Sequence, residues 1–249
     1  MEKSGKSENH EFSDELERQD ISHGYERVQI PFIRVREDDP MSVPEFKYAT
    51  ENEYKGFKPE EMDREGCKED CTCQSPSSTA PPCPCTTPLS PSPGPFFECT
   101  ALHCLCHFTT CTNRSLQKGT SLNALQIRYI SREKGFGVFT SSEIPTNTFI
   151  GEYIGEYHNT SSIGQYTLKI TESGILQQFA IDSQKVGNFT RFINHSRLDP
   201  NLKLEIVRVF HIQPRVMLIT SRPIEAKEEL RFDYGTQEAF EDGSLPGLQ

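Results

Sequence analysis

The sequence has no run approaching the ~18 consecutive apolar residues of a membrane span, so no transmembrane segment is expected. Its first twenty residues, MEKSGKSENHEFSDELERQD, lack the apolar stretch of a secretory signal. An excess of basic charge is also missing. Lys and Arg total 26 against 36 Asp and Glu over 249 residues, a formal net charge of −10. That balance argues against a domain that grips nucleic acid mainly through its phosphates, and it suits a basic partner. Finally, no cysteine follows Cys111.

What is present is unevenly spread. Residues 1–111 hold 21 acids, 11 bases and all nine cysteines, whereas residues 112–249 hold 15 acids, 15 bases and none. Two differently built modules are therefore expected. Residues 1–20, with 7 acids and 3 bases, form a disordered acidic tail. Residues 21–66 form a segment that wraps another surface, because short apolar groups such as Val28-Gln29-Ile30-Pro31-Phe32-Ile33 are broken by proline and charge. Residues 67–114 hold the cysteines, with a Pro/Ser-rich loop at 74–98. From 115 to 240 the fold class is mostly β. Runs rich in Ile, Val, Phe and Tyr recur at Leu125–Ile130, Thr148–Ile154, Tyr166–Ile170, Phe179–Ile181, Leu204–Phe210, Val216–Thr220 and Leu230–Tyr234. A short tail, 241–249, closes the chain.

The cysteines are Cys67, Cys71, Cys73, Cys83, Cys85, Cys99, Cys104, Cys106 and Cys111. Two chemistries fit. A disulfide scaffold wants an oxidising compartment and usually an even count. A metal site wants thiolates clustered in sequence, as they are here. Three tetrahedral Zn²⁺ ions need about twelve ligand positions, and six terminal with three bridging thiolates supply them. Nine cysteines thus suffice for three zincs. Such a cluster would organise a segment too poor in apolar residues to fold by burial.

Four motifs stand in order in the second module. They are Lys134-Gly135-Phe136-Gly137, Gly151-Glu152-Tyr153-Ile154-Gly155-Glu156, Gly187-Asn188-Phe189-Thr190-Arg191-Phe192-Ile193-Asn194-His195-Ser196 and Glu228-Glu229-Leu230-Arg231-Phe232-Asp233-Tyr234-Gly235. Each is weak alone; the first lacks the third glycine and the βαβ setting of a dinucleotide fold. Their ordered combination resembles the SET-domain protein lysine methyltransferases. The cysteine segment ending Cys111-Thr112-Asn113-Arg114 resembles the pre-SET zinc cluster of that family. The leader Ile21-Ser22-His23-Gly24-Tyr25-Glu26, with Ile30-Pro31-Phe32 and Phe46-Lys47-Tyr48, resembles the branch that methylates histone H3 on lysine 9. The resemblance covers roughly residues 21–240.

That resemblance implies a knotted SET fold in which S-adenosylmethionine (SAM) and the lysine enter from opposite faces. By position, Lys134, Gly135, Phe136 and Gly137 would contact the cofactor, and Asn194 and His195 would bind its adenine and amino-acid parts. Tyr166 would stand where cofactor and lysine channel meet, Tyr153 would line the channel, and Tyr234 would be the catalytic tyrosine. Phe232 matches the position that sets room for added methyl groups, and favours di- or trimethylation. Leu168 stands where the family has an aromatic. The histone H3 tail is the implied partner, alongside other chromatin proteins, in the nucleus; sequence-specific nucleic-acid binding and membrane binding are not expected.

The sequence also departs from the family. Members with a fourth zinc use Asn-His-Ser-Cys plus three cysteines in a post-SET tail. Here Arg197 follows Asn194-His195-Ser196, and the chain after Asp233-Tyr234 has no cysteine. All four ligands are missing together, so that zinc is expected to have been dispensed with. Phe240 is the residue expected to pack over the opening that the tail would close. The alternative to an enzyme is a catalytically weak or silent SET module that binds a histone tail or scaffolds a chromatin complex.

Overall fold

Asp20 shapes the entry of the chain. Its carboxylate accepts hydrogen bonds from the Ser22 N–H at 3.0 Å, the Ser22 hydroxyl at 2.8 Å, the Gly24 N–H at 2.8 Å and the Ile30 N–H at 3.1 Å. Partial burial pushes this carboxyl up, but the donors outweigh it and hold it below its usual range. The turn so formed delivers Ile21, Ile30 and Phe32 into the main core.

The computed structural model describes residues 15–34, 43–61, 96–100, 108–109, 111–159, 164, 166–170 and 179–234. The early strands are β1 (Glu15–Arg18), β2 (Phe32–Arg34), β3 (Lys47–Tyr48), β4 (Glu53–Tyr54) and β5 (Phe96–Phe97). A one-turn helix, α1 (Ser115–Lys118), precedes β6 (Leu125–Ser131), β7 (Gly135–Thr140), β8 (Phe149–Glu152), β9 (Glu156–His158), β10 (Thr167–Ile170) and β11 (Phe179–Asp182). The last strands are β12 (Val186–Gly187), β13 (Asn194–His195), β14 (Leu202–Arg208), β15 (Arg215–Thr220) and β16 (Arg231–Phe232). A 3-10 helix, Phe189–Phe192, lies between β12 and β13. The described residues are therefore mostly β.

The strands form small sheets. One runs β1-β2-β6-β7, another β10-β11-β9-β4, and β12 pairs with β3. The largest runs β13-β16-β14-β15-β8, with β5 also on β14. Their inner faces share a core that includes Leu125, Ile127, Val138, Ile150, Ile181 and Leu218. A smaller cluster, Leu116, Val207, Val209, Met217 and Ile219, lies on the other face of the large sheet.

The N-terminal segment is bound to the second module by specific contacts. The Tyr48 hydroxyl donates to Glu26 at 3.0 Å and accepts the Phe189 N–H at 3.3 Å. Phe46 packs edge-on against Phe192, with ring centroids 5.8 Å apart. Asn52 accepts the Gly155 N–H at 3.0 Å and donates to Glu152 at 3.1 Å. Glu152 is in turn held by Arg215, whose Nε lies 2.7 Å from Oε1. These bonds brace the 3-10 helix and β8 from outside the sheet.

Several expectations shift. Residues 1–20 were expected to be a disordered tail, yet Glu15–Arg18 pairs antiparallel with β2, and Asp20 is the turn's acceptor. Pairing with a distant strand supplies what local composition lacks. The run at Leu204–Phe210 starts instead at Leu202 and ends at Arg208. Phe210 has φ +62°, and the His211 N–H bonds the Val209 carbonyl at 2.7 Å, so the chain turns there. The last strand shortens to Arg231–Phe232. Cys67, Cys71, Cys73, Cys83, Cys85, Cys104 and Cys106 lie outside the described residues, as do Phe240 and the tail 241–249.

Candidate active site

The site forms where two motifs nearly forty residues apart become neighbours. β13 runs parallel to β16, with Asn194 opposite Arg231 and His195 opposite Phe232. The Tyr234 N–H then donates to His195 Nδ1 at 3.0 Å, and the Tyr234 hydroxyl donates to the Ile193 carbonyl at 2.7 Å. Main chain and side chain of Tyr234 are thus both tied to the Ile193-Asn194-His195 stretch. Because His195 Nδ1 accepts, the proton of the neutral ring sits on Nε2.

Aromatic rings gather around Tyr234. Phe232 lies 4.5 Å from it, His195 5.0 Å, and Tyr153 packs 6.4 Å from Phe232. The Tyr153 hydroxyl donates to the Tyr166 carbonyl at 2.8 Å, tying the short segment before β10 to this group. Burial pushes the Tyr153 phenol up to about 12. Burial, then the neighbouring Tyr153, Tyr166 and Glu229, push the Tyr234 phenol above its usual value. Both phenols are neutral near pH 7, so neither is a strong base. Leu168 and Phe232 are both buried.

The Lys134–Gly137 turn meets this group from the other side. Gly135 sits at φ +68°, a conformation that side chains rarely adopt. Gly137 is required by close approach: a Cβ there would stand 2.6 Å from Ile130 Cδ1, 2.9 Å from Glu229 Oε1 and 3.2 Å from Asn194 Nδ2. Asn194 Nδ2 spends its hydrogens on the Phe136 carbonyl, 3.0 Å, and Glu229 Oε1, 2.8 Å. Among the described residues, its Oδ1 meets no donor and is left as an acceptor. The Phe136 ring packs against Phe32 at 5.0 Å and Phe192 at 6.1 Å, so much of it is committed to the core. Lys134 is exposed, with its N–H on Ser131 Oγ at 3.2 Å.

The proposed residues Tyr153, Tyr166, Phe232, Tyr234, Asn194 and His195 are therefore brought together, with Gly135, Phe136 and Gly137 against Asn194. Two further side chains belong to the site. Glu229 holds Asn194; it stands inside a quoted motif, but its part depends on a side-chain bond that spacing does not reveal. Arg191 lies 94% buried between the rings of Phe46 and Tyr166, 4.4 and 4.5 Å from their centroids, and its Nε donates to the Ser183 carbonyl at 2.9 Å. The Arg191-Phe192 pair inside the third motif was its only signal.

The loop after His195 is held by charge. Asp199 pairs with Arg222 at 3.0 Å and Arg231 at 2.7 Å, and Glu228 pairs with Arg222 at 2.7 Å. Asn201 donates to Glu228 at 3.0 Å and accepts the Arg231 N–H at 2.8 Å. Partial burial raises the Glu228 carboxyl, but the Arg222, Glu225 and Asn201 donors bring it to about 2. Arg197 points to solvent at the tip of this loop.

A glycine turn thus lies against Asn194 and His195, with Tyr234 folded back on the same stretch. Residues 135–235 match the family model of the SET domain. Residues 135–235 are a SET domain. Histone-lysine N-methyltransferase SUV39H2 of Gallus gallus is 34% identical over 163 residues, covering 59% of this chain and 38% of that protein. Histone-lysine N-methyltransferase EHMT1 of Homo sapiens is 31% identical over 249 residues, covering 87% of this chain and 18% of that protein. The crystal structure of KRYPTONITE with mCHH DNA, an H3(1–15) peptide and SAH superimposes with TM-score 0.72 at 30% identity, covering 94% of this chain and 50% of that one. The chain spans less than two fifths of the length of those two methyltransferases.

The residues fit a SET-domain cofactor. The half-buried Asn194 keeps an open acceptor, the exposed His195 keeps an Nε2–H donor, and both stand beside the glycine turn. For zinc, only Cys99 and Cys111 of the nine cysteines are described, and both are fully buried. Asn113 Nδ2 donates to Cys99 Sγ at 3.1 Å, and the Cys99 N–H bonds the Asn113 carbonyl at 3.0 Å. An N–H directed at a buried sulfur suits a thiolate ligand.

Proposed function

We propose that this chain is a SAM-dependent histone lysine methyltransferase acting on histone H3, at lysine 9. One observation carries the reading: Tyr234 is fixed by the Ile193 carbonyl and by His195 within a wall of aromatic rings. Bound SAM supplies an electrophilic methyl group on a positively charged sulfur. The chain's own residues must then present a neutral amine to it.

A free lysine has a pKa near 10.4, so only about 1 in 2,500 is neutral at pH 7, and neutralising it costs about 4.6 kcal/mol. Tyr153, Tyr166, Phe232 and Tyr234 offer rings in place of water, which disfavours the ammonium. The Tyr234 hydroxyl gives its hydrogen to Ile193, so its oxygen faces the site as an acceptor. It aims the amine rather than deprotonating it. Alignment of that kind supplies much of the remaining acceleration. Phe232 lacks a hydroxyl that would bind a water in the channel, which favours di- or trimethylation.

The remaining features extend the proposal. Residues 67–114 form a pre-SET cluster of three zincs on nine cysteines, and Cys99 and Cys111 are two of the ligands. Histone H3 is the partner, and the protein works on chromatin in the nucleus. A second reading, a silent SET module that binds a histone tail or scaffolds a chromatin complex, draws on Arg197, which follows Asn194-His195-Ser196 where the resemblance implies a cysteine. Transfer of labelled methyl groups to H3 peptides, with SAM affinity measured alongside, separates the two. Transfer supports the enzyme; SAM binding without transfer supports the scaffold.

A further inference from the structure

We propose that Glu229 is a specificity-determining residue of the cofactor site, its carboxylate favouring the cationic sulfur of SAM over the neutral sulfur of SAH. This rests on the SAM reading above and adds to it a preference between substrate and product.

The position of Glu229 is tightly set. It bridges to Phe139 across the strands, and the next residue, Leu230, donates its N–H to the Val138 carbonyl at 2.8 Å. Oε1 accepts from Asn194 Nδ2 at 2.8 Å and stands 2.9 Å from where a Cβ of residue 137 would be. The carboxylate thus lies at the meeting point of the glycine turn and the Asn-His stretch.

Among the described residues, its charge also has no ionic partner. Glu228, the preceding residue, is neutralised by Arg222. Among the described residues, no Lys or Arg pairs with Glu229; Asn194, a neutral donor, is its hydrogen-bond partner. A half-buried carboxylate without a counter-ion, beside a ligand site, raises the affinity for a cation there.

SAM and SAH share adenosine, α-amino and α-carboxyl groups. In the transfer, the lysine nitrogen lone pair would form the new N–C bond, the S–C bond would break with its electrons going to sulfur, and the positive charge would pass from sulfur to the lysine nitrogen. A carboxylate that attracts only the charged sulfur would strengthen the substrate and release the product. The shared groups cancel in the ratio of the two affinities.

The test is calorimetric titration of the full chain with SAM and with SAH, before and after Glu229→Gln. Glutamine keeps an acceptor for Asn194 and removes the charge. The expected result is an about tenfold fall in the SAM-over-SAH preference, through weaker SAM binding, with SAH affinity within about twofold. Glu229→Asp, which keeps the charge, is expected to retain the preference and covers the case in which the Gln variant fails to fold. An unchanged preference in Glu229→Gln, whether both affinities fall or neither does, overturns the inference alone. Failure of SAM to bind the unaltered chain overturns the cofactor reading and the inference together.

Discussion

Replacing Tyr234 by Phe removes one oxygen from the centre of the site. The lost bond, 2.7 Å from hydroxyl to the Ile193 carbonyl, contributes about 1 kcal/mol net to stability. At about 2–4 °C per kcal/mol for a protein of this size, the melting temperature should fall by about 3 °C. The backbone bond from the Tyr234 N–H to His195 does not depend on the hydroxyl, so the strand pairing of β13 with β16 should survive. Turnover should suffer far more. Without the oxygen, the amine loses its acceptor, and a displacement of about 1 Å costs about 100-fold in rate. The assay is methyl transfer to an H3 peptide at saturating SAM, with SAM affinity and thermal melting measured on the same preparations. An about 100-fold or larger loss of kcat, with SAM affinity within about threefold, is expected. Turnover within about threefold of the unaltered protein would refute the role given to Tyr234.

Gly137→Ala should weaken SAM binding by about tenfold while leaving the fold intact, because the new methyl pushes on the side chains of Ile130, Glu229 and Asn194 rather than on the backbone; calorimetry checks this. Glu228 is held to about 2, so its share of stability is present above the unfolded value near 4.5 and is lost as pH falls from there toward 2. Acid melts of Glu228→Gln should therefore converge on those of the unaltered protein at the bottom of that range and separate above it. Metal analysis should return three zincs per chain, and a count of one or two would remove the bridged cluster.

The β-rich character was legible because strands such as β6, β14 and β15 concentrate Ile, Val and Leu among polar residues, a local property of the chain. The short strands were not. Glu15–Arg18, Lys47–Tyr48 and Asn194–His195 owe their state to partners far away in sequence, and two or three residues carry no period of their own. Gly135–Thr140 was noticed only as a glycine motif, although it continues into the full length of β7. The site divides the same way. Its residues stood out as ordered motifs, and the structure brings the third and fourth against the first, and the second against the third and fourth. What spacing hid was the wiring between them: Asn194 to Phe136 and Glu229, Tyr234 to Ile193, and Arg191 between Phe46 and Tyr166. Those links are invisible to spacing because each joins side chains or carbonyls from parts of the chain far apart in sequence. The ion network of Asp199, Arg222, Glu228 and Arg231 likewise explains how the loop carrying Arg197 keeps its shape where the family has a metal ligand.

The most direct measurement is mass spectrometry of histone H3 after incubation with the protein and SAM. The expected result is added mass of two or three methyl groups on lysine 9. Unmodified H3 under conditions where the protein demonstrably binds SAM would contradict the enzyme.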